Sequence, residues 1–269
     1  MTRPTDFHQL IGYDLGEFEV RWTERDAILY ALACGAKADD LDLVYERDLR
    51  PLPGMFAALG LWAVERCGDL GVYDRKKSLH VTQEVVVHAP VARSAAVRTH
   101  GLVKSVTDKG KATIVEIAVS SPVFDASYSI FLPGIGNWGG PPAAAAKAGD
   151  IPGLAAVGQY QTSPEQAVLY RLTGDLHPVH VDPAVAKGYG FDRPILHGLC
   201  TLGIALRMLG PTFGRHPADL AKATAKLSAP VLPGDLLTLR AAPLTEGFAF
   251  DMMANDRPVL KDGFAAFTQ

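Results

Sequence analysis

The heptapeptide 174–180, G-D-L-H-P-V-H, gathers groups able to move protons: Asp175, His177 and His180. An imidazole titrates near neutral pH, and a carboxylate held in a pocket can be tuned towards it. A third histidine, His197, follows in P-I-L-H-G. Three roles fit these residue types: general acid–base catalysis, ligation of a metal by the three histidines, or a polar turn without chemistry. H-P-V-H is not the helical i, i+4 face that turns two imidazoles towards one ion, and no cysteine lies near in sequence, so ligation is disfavoured. Gly174 allows a tight bend, and Pro178 fixes one dihedral between carboxylate and second histidine.

Something must hold that segment, and the pattern around it is repeated. L-P-G-M-F-A-A-L-G-L-W-A-V-E-R (52–66) and I-L-H-G-L-C-T-L-G-I-A-L-R-M-L (195–209) are both apolar nearly all round at helical spacing, as an enclosed helix should be. Strand-like runs follow each: 78–91, 95–106, 112–119 and 128–132 after the first, and 223–231, 235–244, 248–254 and 263–267 after the second. H-A-P-V (88–91) and S-A-P-V (228–231) fall at matching places. A long buried helix wrapped by an antiparallel meander, made twice, predicts an α+β fold whose two sheets join edge to edge. The glycine- and proline-rich stretch 136–153 reads as a linker between a repeat over 1–135 and a repeat over 154–269. The chemistry is uneven. The segment before the first buried helix, 23–54, has no histidine, so one repeat is expected to react and the other to shape a pocket.

Composition narrows the classes. Of the 269 residues, 48% are hydrophobic and 20% charged, with a net charge of −3, the balance of a globular protein without the basic face a nucleic acid requires. Cys34, Cys67 and Cys200 are scattered through apolar stretches with no C-x-x-C, as buried reduced thiols of a cytoplasmic protein would be. No apolar run approaches the length of a membrane span.

G-D-L-H-P-V-H-V-D-P-A-V-A together with G-F-D-R-P-I-L-H-G-L-C-T resembles the hydratase 2 motif of the MaoC-like (R)-specific enoyl-CoA hydratases. T-E-R-D-A-I-L-Y-A-L-A-C-G-A (23–36), L-V-Y-E-R-D-L-R-P-L-P (43–53) and D-K-G-K (108–111) are similar to the catalytically silent half of its two-repeat members. The resemblance implies a double hot-dog fold and reversible hydration of a trans-2-enoyl-CoA to a (3R)-3-hydroxyacyl-CoA. Asp175 and His180 would then grip the water, and the backbone N–H of Gly198 would receive the thioester oxygen. His197 would serve shape and hydrogen bonding at the helix start. His177 departs from the pattern, which usually has asparagine there to support the water through a hydrogen bond. Tyr189 and Phe191 are expected at the pocket mouth. The resemblance further implies an acyl-CoA substrate, no metal or redox cofactor, and a homodimer.

Two-repeat members accept long, branched or steroid side-chain acyl groups, and the small residues Gly54, Ala57, Ala58, Gly60 and Ala63 are compatible with a roomy slot. The competing readings are another MaoC-like hydroxyacyl-CoA dehydratase, a hot-dog thioesterase, and a non-catalytic acyl-CoA-binding subunit. Of the other groups, Asp182 before Pro183 is expected to cap a short helix. His80, His88 and His100 read as surface or satisfied sheet residues, and Y-E-R-D (45–48) as a charge cluster on a solvated or interface face.

Overall fold

The computed structural model describes residues 3–142 and 153–268. The first part contains α1 (Phe7–Leu10), β1 (Asp14–Trp22), α2 (Glu24–Ala33), α3 (Leu41–Val44), α4 (Met55–Leu59) and α5 (Leu61–Asp69). Strands β2 (Leu79–Val87), β3 (Ala95–Asp108), β4 (Ala112–Ser120) and β5 (Phe124–Pro133) complete it. The second part repeats the plan with β6 (Ala155–Gln161), α6 (Gln166–Arg171), α7 (Pro183–Gly188), α8 (Gly198–Thr212), β7 (Leu220–Leu227), β8 (Leu236–Leu244), β9 (Gly247–Ala254) and β10 (Arg257–Phe267).

All ten strands form one sheet in the order β1-β3-β4-β5-β2-β7-β10-β9-β8-β6, and every neighbouring pair is antiparallel. Read from its two ends the order is the same, with β1 answering to β6 and β2 to β7. The seam is β2 against β7, from Thr82↔Lys226 to Val86↔Lys222. Joining there gives each repeat a partner for a strand that would otherwise be an open edge.

The two buried helices differ. Within α8 every residue from Leu199 to Leu206 is buried, so its apolar circumference is matched by its surroundings. The first is broken into α4 and α5 at Gly60, where the uniform spacing predicts one helix. The Tyr128 hydroxyl causes the break: it donates to the Ala57 carbonyl at 2.8 Å and lies 2.2 Å from where a Gly60 Cβ would be. Past the break α5 is amphipathic, with Ala63, Cys67 and Gly68 buried and Glu65 outward. The small residues of this segment serve close packing, since Gly54 meets Tyr30 and Gly60 meets Tyr128.

The proposed linker begins as a fastened segment. The Asp108 carboxylate accepts from the N–H groups of Gly110, Asn137, Trp138 and Gly139, at 2.8–3.2 Å. Those bonds hold its carboxyl below the usual range and tie residues 137–139 to the β3–β4 turn. The rest of the linker, 143–152, lies outside the described residues. The three cysteines are free and buried, and burial pushes the Cys34 thiol up to about 12 and that of Cys67 to about 11.

Candidate active site

Helix α6 ends in a sharp turn whose last residue, Gly174, sits at φ +130, a conformation that side chains resist. The chain then presents Asp175, whose Oδ1 accepts from the His177 N–H at 3.3 Å. Pro178–His180 form a single 3-10 turn that carries His180 back over the site. Asp182 stops it from unwinding into α7: Oδ1 accepts from Ala184 at 2.8 Å and Val185 at 3.3 Å, with Pro183 at the first helical position.

The backbone fixes the tautomers. His180 Nδ1 lies 2.8 Å from the Ile195 carbonyl, which only accepts, so the proton is on Nδ1 and Nε2 keeps its lone pair. His197 Nε2 likewise donates to the Asp175 carbonyl at 3.1 Å. The two rings stack, centroids 3.6 Å apart and planes at 24°. Burial holds both imidazoles neutral, that of His180 at about 4 and that of His197 lower still. Burial pushes the Asp175 carboxyl up from the usual range. The result is a carboxylate with raised basicity beside a neutral imidazole, two acceptors of the kind a water molecule can bridge.

Ligand atoms of Asp175, His180 and His197 lie within 4.8 Å of one another, the spacing of a cation site. The trio differs from the one the sequence suggested, with Asp175 in place of His177. A coordinating imidazole holds its ion in the ring plane, and two nearly parallel stacked rings have no shared in-plane point at bonding distance. The stack therefore fits a metal poorly.

His177 stands half-buried beside the pair. Its Nδ1 accepts from the Val179 N–H at 3.3 Å, so Nε2 carries the proton and donates to the Tyr189 hydroxyl at 3.2 Å. Burial, then the neighbouring His180, lowers its pKa, against a smaller opposing pull from Asp175. Asparagine, being shorter, cannot make both bonds. His177→Asn is expected to keep activity while flattening the fall in kcat/KM below about pH 6.5, since a group that charges on acidification is gone. Loss of activity at every pH would give His177 a catalytic task of its own.

Gly198 opens α8, whose N-terminus receives no side-chain cap, leaving its first N–H groups to meet an anionic oxygen. A cavity of about 480 Å³ joins these parts. Asp175, His177, His180, Gly198, Tyr189 and Phe191 line it from the second repeat, as do Leu227–Val231. Leu61, Val64, Glu65, Gly68, Tyr73, Arg75, His80 and Ile130 line it from the first. None of the five small residues proposed for a slot is among the lining. His197 is wholly buried and acts from behind, through His180 and the Asp175 backbone. In sequence His80 reads as a surface or satisfied sheet residue, with no place at the site. It is satisfied, with Nε2 donating to Thr82 O at 3.0 Å, yet it forms part of the wall because the strand bulges at Val81. His88 and His100 pair with Asp125 and Asp14, away from the cavity.

The first repeat has the same bends without the chemistry. Gly35 after α2 has φ +85 and is followed by Ala36 where the second repeat has Gly174 and Asp175, and L-P-G-M stands against L-H-G-L.

Residues 20–132 match the MFE-2 hydratase 2 N-terminal domain, and residues 153–247 match the MaoC like domain. A probable enoyl-CoA hydratase 2 of Dictyostelium discoideum is 32% identical, over 86% of this chain and 85% of that protein. The chain belongs to the MaoC-like hydratase 2 family. The peroxisomal multifunctional enzyme type 2 of Mus musculus is also 32% identical, over 84% of this chain, which spans only 34% of that longer protein. A crystal structure of a MaoC-like dehydratase from Phytophthora capsici superposes with a TM-score of 0.87 at 25% identity, covering 98% of each chain. The architecture is thus the family's double hot-dog, and this hydratase 2 chain is a hydro-lyase by membership. Among its described residues no helix is long and apolar enough to cross a membrane.

Proposed function

We propose that the protein hydrates trans-2-enoyl-CoA to (3R)-3-hydroxyacyl-CoA, reversibly, with acyl groups that are long or bulky. The observation that carries the reading is the facing of Asp175 and His180 next to the uncapped N-terminus of α8 inside one cavity. Water donates one hydrogen to the Asp175 carboxylate and one to His180 Nε2. As its oxygen bonds to C3, one of the two groups takes the proton and the C2–C3 π pair shifts towards the thioester carbonyl. The developing oxyanion is met by the Gly198 N–H. C2 then collects a proton from the site, so that one water is added across one double bond. There is no net redox change, and the residues present supply both acid and base.

The bulky-substrate part rests on the lining. One wall is built by the repeat without chemistry, and its apolar members Leu61, Val64, Tyr73 and Ile130 suit a hydrocarbon arm. A homodimer and a cytoplasmic setting belong to the same proposal, the latter supported by three buried free thiols.

Loss of the ultraviolet absorbance of conjugated enoyl-CoAs of increasing size, with chiral analysis of the product, tests the reading. Thiol release instead would mean a thioesterase, and no reaction with any chain length a binding subunit. EDTA is expected to leave the rate unchanged, given the stacked imidazoles. Inhibition by EDTA that zinc reverses would overturn that expectation.

A further inference from the structure

We propose that Arg75 is a specificity-determining strut that sets the width of the acyl end of the cavity. The proposal rests on the hydratase reading above and concerns a residue of the repeat that carries none of the reacting groups.

Arg75 lies along one face of α5. Its aliphatic stem covers Gly68 so closely that a Cβ on Gly68 would fall 2.6 Å from Arg75 Cδ and 2.8 Å from Cγ. Only glycine lets the stem lie flat there. The head is fastened at both ends of the fork: Nη1 to Asp69 Oδ1 at 2.6 Å, and Nη2 to Glu65 Oε2. Residues 65, 68 and 69 are one helical turn of α5, so the side chain is laid across that turn at three points. Its root is held too. The Asp74 carboxylate accepts from the Lys76 N–H at 3.0 Å, and the Ser78 hydroxyl donates to the Arg75 carbonyl at 2.8 Å. The stem packed on Gly68 restrains the side chain more than its head does, since the Glu65 and Asp69 carboxylates are exposed.

Position gives the strut its function. Arg75, Glu65 and Gly68 all line the catalytic cavity, on the side where Leu61, Val64 and Tyr73 make an apolar wall. An enoyl-CoA has one apolar arm and one polar, polyanionic arm. The apolar wall suits the first. The second would need free cationic donors, and both terminal nitrogens of Arg75 are already engaged by carboxylates. Arg75 therefore meets the acyl group with its stem and leaves the phosphates to other residues. A branched or fused-ring acyl group competes with that stem for space, whereas a short chain stops before reaching it.

The test compares kcat/KM for a bulky branched enoyl-CoA with that for crotonyl-CoA. Arg75→Ala is expected to raise the bulky-to-short ratio by about tenfold, within the range that a few methylenes of pocket contribute to selectivity. The double variant Glu65→Gln, Asp69→Asn keeps the arginine and frees its head. It is expected to shift the ratio in the same direction by less, and it carries the test if Arg75→Ala does not fold. A ratio unchanged in both variants overturns the strut. So does an equal rise in KM for every chain length with weaker inhibition by free CoA, which would make Arg75 a phosphate ligand. Wild-type protein inactive on all enoyl-CoAs would defeat the hydratase reading itself, and an active wild type with an unmoved ratio defeats only the strut.

Discussion

Asp175→Asn and His180→Gln are each expected to fold normally and to lose hydration by about a hundredfold or more, the usual range for a removed acid–base group. The structure says why both should fold. Asp175 is buried enough that its carboxyl is pushed up, so a neutral amide of the same shape relieves a desolvation cost. The thermal midpoint of Asp175→Asn should equal or exceed that of the wild type. In His180→Gln the side-chain amide can still donate to the Ile195 carbonyl that orients the imidazole. Since both groups hold one water, the double variant should be little slower than either single one; effects that multiply would mean two independent tasks. Wild-type rate in either single variant would remove that residue from the mechanism.

The meeting of Asp175 and His180 in one cavity was legible because their spacing is short-range. Gly174, Asp175, Pro178 and His180 fall in one turn, and the turn chemistry of glycine and proline fixes it locally. Asp182 as a cap was readable for the same reason. The doubled sheet was legible through eight runs of alternating or β-branched residues, and the joining of the sheets through the need to cover an edge.

The two outermost strands were not legible. In β1, D-L-G-E-F-E-V-R-W, charge and glycine interrupt the alternation, and β6, A-A-V-G-Q-Y-Q, is too small and polar to show one. Both are edge strands, where half of each strand's partners are missing and the pattern relaxes. The break at Gly60 depends on Tyr128, far away in sequence. The same holds for the opposite wall. Glu65, Gly68, Arg75 and His80 come from the other repeat, and packing between the repeats, the β2–β7 seam included, brings them to Asp175. Local pattern gives the candidate acid–base groups, and long-range packing gives the wall that faces them.

The histidines that build the site should make the fold acid-labile well before its carboxylates are exhausted. His80 and His180 are held at about 4 by burial, and His177 and His197 are also lowered. In the unfolded chain each takes a proton near pH 6.5. Between pH 6.5 and about 4 the unfolded state therefore binds more protons than the folded one, and stability falls as pH falls through that window. By pH 5 the loss is about 2 kcal/mol for each of the three most shifted groups. Asp175 works the other way, because its raised carboxyl takes a proton in the folded state first, and it offsets part of the loss. Urea midpoints measured at pH 7, 6 and 5 should decline steadily, and activity should be recovered on return to pH 7. His80→Asn, which removes one buried imidazole without touching the reacting pair, should make that decline shallower. A urea midpoint that stays level from pH 7 to pH 5 would show that these histidines are not held neutral by burial.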